Sequence, residues 1–90
     1  MSITVIIPPI LYQYTGDKQA AIVEGNTVGQ CLDHLIKQFP GIEEALFDKD
    51  GELKYWLNIY VNRESSYPEE LVKPVKDGDE IQIIPVIVGG

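Results

Sequence analysis

Side chains able to do chemistry are few in this 90-residue chain, and no two of them form a recognisable site. The one cysteine, Cys31, falls on the apolar stripe of a helical pattern. Burial there raises a thiol pKa and silences it, so Cys31 reads as core rather than nucleophile. His34, the one histidine, lies off that stripe with no serine motif around it and reads as a solvated surface residue. Asp48-Lys49-Asp50-Gly51 resembles the middle of a calcium loop. In that register Leu46 takes the first ligand position and Leu57 the bidentate glutamate's, so the stretch is a turn. The pairs Glu43-Glu44 and Glu69-Glu70 are neighbours in sequence, which diverge on a helix or strand. There is no metal-ligand spacing, no P-loop and no GxGxxG. The expectation is a protein that is not an enzyme and has no metal and no cofactor.

One reactive group remains, and no side chain encodes it. Residues 80–90 read E-I-Q-I-I-P-V-I-V-G-G: an apolar strand followed by Gly89-Gly90 and a carboxylate. Glycine contributes no packing, but it lets an extended backbone pass where no side chain would fit. A carboxylate is a poor electrophile. Adenylation by an ATP-using partner would supply a leaving group, after which sulfide would give a thiocarboxylate or an amine an isopeptide. Both routes need the tail inserted into another protein's active site.

The elements that must present this tail follow from periodicity. Residues 2–7 alternate, with Ile3, Val5 and Ile7 on one side, and end at Pro8-Pro9. Residues 10–12 are apolar but irregular, and 18–24 form a second, hairpin-like strand. Thr27 with Gln30 makes a capping box. Val28, Cys31, Leu32, Leu35, Ile36 and Phe39 then mark one helix stripe, closed by Pro40-Gly41. Residues 42–47 add a short helical turn. Residues 53–62 predict a long strand, with Leu57, Ile59 and Val61 on one face and Trp56, Asn58 and Tyr60 on the other. Residues 64–75 read as irregular, with Leu71 tucked in, and Asp77-Gly78 turns into the final strand. One striped helix must cover one face of a mixed sheet, a two-layer α+β domain whose other face stays open.

Composition narrows the partners. The net charge of −7 argues against nucleic acid and against an anionic membrane surface. The start M-S-I-T-V-I-I-P-P-I lacks the basic region of a signal peptide, and no apolar run is long enough to span a bilayer. A single cysteine fits a reducing compartment, so a cytoplasmic location is expected.

This order of elements resembles the ubiquitin-like β-grasp fold and, more narrowly, the MoaD/ThiS sulfur carriers, including those serving bacterial cysteine biosynthesis. The matching stretches are I-P-P-I-L at 7–11, T-G at 15–16, G-N-T-V-G at 25–29, L-N-I-Y-V-N at 57–62 and D-G-D-E-I-Q-I-I-P-V-I-V-G-G at 77–90. The resemblance implies a mixed sheet of four to five strands with one main helix, a β-grasp domain over 1–88 and a flexible Gly-Gly tail at 89–90. It implies adenylation at Gly90 by an E1-like ATP-dependent enzyme and sulfur from a rhodanese or desulfurase. The thiocarboxylate would then pass sulfur to an acceptor synthase for cysteine, thiamine thiazole or molybdopterin. Two alternatives stand beside it: a ubiquitin-like modifier conjugated to lysines through Gly90, and a plain interaction module with an unmodified tail. With the first and last strands as central neighbours, alternation sends Ile6, Ile84 and Val86, with Tyr60, to the open face as an apolar partner-binding patch beside Gly89 and Gly90.

Overall fold

The computed structural model describes residues 2–86. Alternating residues build β1 (Ser2–Ile6), β2 (Ala20–Glu24) and β5 (Glu80–Pro85), joined in one sheet by β3 (Leu57–Val61) and β4 (Glu64–Ser65). The strand order is β2-β1-β5-β3-β4, with β1 and β5 parallel and the other pairs antiparallel. β5 is therefore paired on both edges at the centre of the sheet, which is why its residues are so apolar.

The main helix, α1 (Val28–Gln38), buries Val28, Cys31, Leu32 and Leu35 against Ile3, Val5, Val23, Ile59, Ile81 and Ile83. Its N-cap is Thr27, whose Oγ1 accepts from the Gln30 N–H at 3.2 Å. The return arm closes one residue further out than a capping box predicts: Gln30 Oε1 accepts from the Asn26 N–H at 2.7 Å. Pro40 follows the helix and cannot continue its hydrogen-bond ladder. Two glycines let the segments beside α1 approach it closely. A β-carbon on Gly25 would lie 2.9 Å from the Cys31 nitrogen and 2.9 Å from Gln30 Cβ, and one on Gly29 would lie 3.0 Å from the Leu71 carbonyl oxygen.

Four local expectations are corrected. Residues 10–12 belong to a 3-10 helix, Pro9–Tyr14, that buries Leu11. The third strand is Leu57–Val61 rather than 53–62: its last ladder pair with β5 is Leu57–Pro85, and Leu53 instead bridges Phe47. Residues 64–75 are not wholly irregular. Asn62 and Arg63, both at positive φ (51° and 71°), make a two-residue turn that folds β4 back on β3, and a 3-10 turn spans Glu70–Val72. Finally, His34 is half-buried rather than solvated, and its Nδ1 accepts from the Glu24 N–H at 2.8 Å.

That last bond guards an edge. The Ile7 N–H donates to Gln19 C=O, and the β1–β2 register carries this pairing to Val5–Ala21 and Ile3–Val23. The backbone groups of Ile22 and Glu24 therefore point outward from the sheet. Side chains of α1 meet both: Gln38 Nε2 donates to Ile22 C=O at 2.8 Å, and His34 takes the Glu24 N–H. A free strand edge is a template for pairing with another chain, and here the helix covers part of it.

Candidate functional site

The face of the sheet away from α1 carries the alternate residues of β1, β5 and β3 that do not meet the helix. On it, Gln82 lies between Ile6 on β1 and Tyr60 on β3, and Ile84 pairs with Asn58 one row further along. Ile84 is 36% exposed and Val86 39%, while Ile6 and Tyr60 are half-buried. The four residues share this face, but Gln82 and Asn58 interrupt it, so the surface is apolar ground studded with two amides rather than a continuous apolar patch. Pro85 does not shift the register. Pairing runs unbroken from Val61–Ile81 to Leu57–Pro85, and Val86 N–H still donates to Trp56 C=O at 2.6 Å. The segment after β4 turns to the helix side: Lys73 C=O accepts from the Val28 N–H and Asn26 C=O from the Val75 N–H, both at 3.0 Å. It leaves the open face uncovered. Gly89 and Gly90 lie outside the described residues.

The other candidate groups are structural. Cys31 is fully buried beneath α1, and burial pushes its thiol up from the ordinary range. Asp48 Oδ1 accepts from the N–H groups of Asp50 (2.8 Å) and Glu52 (3.1 Å), holding a tight turn. Among the described residues no group of histidine, cysteine and carboxylate side chains is arranged to hold a metal ion.

Sequence reasoning assigned no role to the two carboxylates of D-G-D, which position the last strand. Asp77 Oδ1 accepts from the Ser2 N–H at 2.7 Å, tying the approach to β5 to the start of β1. Asp79 is buried. Its Oδ1 accepts from Asn62 Nδ2 at 3.0 Å and its Oδ2 from the Lys76 N–H at 2.9 Å. The Asn62 amide, helped by that backbone N–H and by the nearby Lys76 charge, holds the Asp79 carboxyl below the usual carboxylate range despite its burial. Asn62 also binds Glu80 through its backbone N–H (2.8 Å) and its Oδ1 (3.0 Å), so one side chain locks the β3–β4 turn to the start of β5. The spacing of Asn62 and Asp79 in sequence carries no hint of this pairing.

A small mixed sheet gripping one helix, with its last strand central and its far face open, can serve many functions, and the chain's relatives narrow them. The family model described as "ThiS family" matches residues 5–90. The chain belongs to the ThiS family. These are ubiquitin-like sulfur carriers of the MoaD/ThiS type, and the five-stranded sheet with one main helix is their β-grasp. The sulfur carrier protein CysO of Mycobacterium tuberculosis is 37% identical over 93 residues, covering 100% of both chains. A chain of the Amycolatopsis orientalis BexX/CysO complex superposes with a TM-score of 0.86 at 36% identity, over 98% of this chain and 99% of that one. SAMP1 of Haloferax volcanii, a small archaeal modifier protein, superposes equally well, with a TM-score of 0.86 at 29% identity over 100% of both chains. The chain is thus similar both to proteins named as carriers and to proteins named as modifiers. Among the described residues no helix is long and apolar enough to cross a membrane.

Proposed function

We propose that this ThiS-family chain is a cytoplasmic, non-catalytic sulfur carrier whose working group is the carboxylate of Gly90. An E1-like partner enzyme transfers AMP from ATP to that carboxylate, releasing pyrophosphate. Sulfide then displaces AMP to leave a thiocarboxylate. Where a rhodanese or desulfurase presents the sulfur as a persulfide, attack yields an acyl disulfide, and a second thiol frees the thiocarboxylate. The loaded tail donates its sulfur to an acceptor synthase making cysteine, thiamine thiazole or molybdopterin. Full-length similarity to CysO carries this reading. It is supported by the route of the last strand, which is paired on both sides through Gln82 and held by β3 as far as Val86, beside an uncovered face bearing Ile6, Tyr60, Ile84 and Val86. That face would dock the partner while residues 1–88 act as the folded handle for the 89–90 tail. Partly exposed aromatic and aliphatic side chains beside a reactive end make a suitable interface centre.

Intact mass of the protein from its native host tests the reading. One oxygen replaced by sulfur marks a carrier. With the E1-like enzyme, ATP and a sulfide source, the chain should load, whereas alone it should neither hydrolyse ATP nor gain sulfur. Deletion of Gly90 should abolish loading while circular dichroism stays unchanged, and Cys31→Val should load normally. Loading of the Gly90 deletion, or loss of loading in a folded Cys31→Val, would overturn the assignment. The likeness to SAMP1 favours a second reading, conjugation to lysines through Gly90, which predicts a ladder of adducts on other proteins instead.

A further inference from the structure

A channel crosses the helix side of the molecule and reaches the open face at Asn58. Its wider part, about 790 Å³, contains half-buried Ile36, Phe47 and Leu71 and is rimmed by Asp33, Glu43, Glu44 and Asp48 against Lys49 and Lys54. Its second part, about 510 Å³, shares Gly51, Lys54 and Leu71 with the first and adds Glu52, Glu69 and Glu70. Seven of the chain's 14 Asp and Glu residues thus line one continuous surface that carries two lysines, with Lys73 offsetting Glu69 from 3.6 Å. Two tyrosines also line it, Tyr55 at 94% exposure and Tyr67 at 77%. Rings left that far in solvent add almost nothing to the core, so packing within the fold does not account for them.

We propose that this channel docks a basic, extended segment of a partner protein. An apolar side chain of the segment sits among Ile36, Phe47 and Leu71, and its arginines meet the carboxylates and stack on Tyr55 and Tyr67. The apolar floor separates this surface from an ordinary solvated acidic face, because an interface needs a dry centre inside its polar rim. The surplus of carboxylates sets the sign of the partner, and crowded like charges are relieved when it binds. The tyrosines favour arginine over lysine, since a planar guanidinium stacks on a ring while donating hydrogen bonds to carboxylates. Docking here does not depend on what Gly90 carries.

The test titrates the isotope-labelled full chain with an acetylated, amidated peptide alternating arginine and leucine, followed by amide chemical shifts. Saturable shifts confined to the channel are expected, with affinity falling as salt is added. A Glu43→Lys/Glu44→Lys variant, both side chains being exposed, should keep its fold and bind about tenfold or more weakly. Tyr55→Ala should weaken binding about threefold to tenfold. Replacing leucine by glycine in the peptide should cost a similar factor. No saturable shift, shifts spread over remote carboxylates such as Asp17 and Asp77, or equal binding of the glycine peptide would each overturn the proposal. Sulfur loading of the double variant is measured separately, so failure of the channel and failure of the Gly90 reading give different results.

Discussion

The two faces of the sheet are built from the same strands, often from adjacent residues, and meet opposite fates. Toward α1, Ile81 and Ile83 are closed off at 0% and 3% exposure. One residue further along, Ile84 faces solvent. On β1, Val5 is buried and Ile6 only half so. Folding is driven by the first face, where each apolar side chain removed from water contributes about 1.5–3 kcal/mol. The second face carries little of that burden and adjoins the strand leading to the tail. The proposed function needs such a division: one face to hold the domain together and another free to be covered and uncovered.

The largest expected effect comes from charging each face in turn. Ile83→Asp should unfold the domain, because an unpaired carboxylate would be buried beneath α1, a change that costs more than about 4 kcal/mol. Ile84→Asp should shift stability by less than about 1 kcal/mol yet severely weaken binding to the adenylating enzyme. Urea titrations followed by circular dichroism, alongside a binding assay, check the pair. If Ile84→Asp unfolds the chain, the open face is not free.

A smaller effect sharpens the description of the covered face. Gly25→Ala places a β-carbon 2.9 Å from backbone in the first turn of α1, so the loop after β2 or that turn must shift. A loss of about 1–3 kcal/mol is expected, measurable as a drop in Tm. Retention of full stability would mean the layers are looser than their contacts indicate.

The smallest concerns the strand's anchorage rather than either face. The Asp79 carboxyl has its pKa lowered in the folded state by Asn62 and the Lys76 N–H. Its contribution is therefore complete above the ordinary carboxylate range and is lost as pH falls through the folded-state pKa. Asp79→Asn should cost about 1–2 kcal/mol at neutral pH and flatten the acid side of the stability profile. An unchanged acid limb in that variant would remove Asp79 from the account.

Much of the architecture was legible in the chain because its causes are local. The Thr27 cap, the stripe from Val28 to Leu35 and the stop at Pro40 depend on residues within a turn or two of one another. The alternation in β1 and β5 announces which residues face a helix, whatever that helix turns out to be. Other features depend on partners far along the chain, and only the tertiary structure decided them. The ladder between β3 and β5 has its last pair at Leu57–Pro85 while Leu53 bridges Phe47 instead, which alternation within residues 53–62 cannot report. His34 turned out to guard the β2 edge, and Asp79 to clamp the β3–β4 turn, because strands remote in sequence brought Glu24 and Asn62 within hydrogen-bonding reach. Hydrophobic periodicity is written residue by residue, whereas a polar side chain's role is set by whichever donor or acceptor folding places beside it.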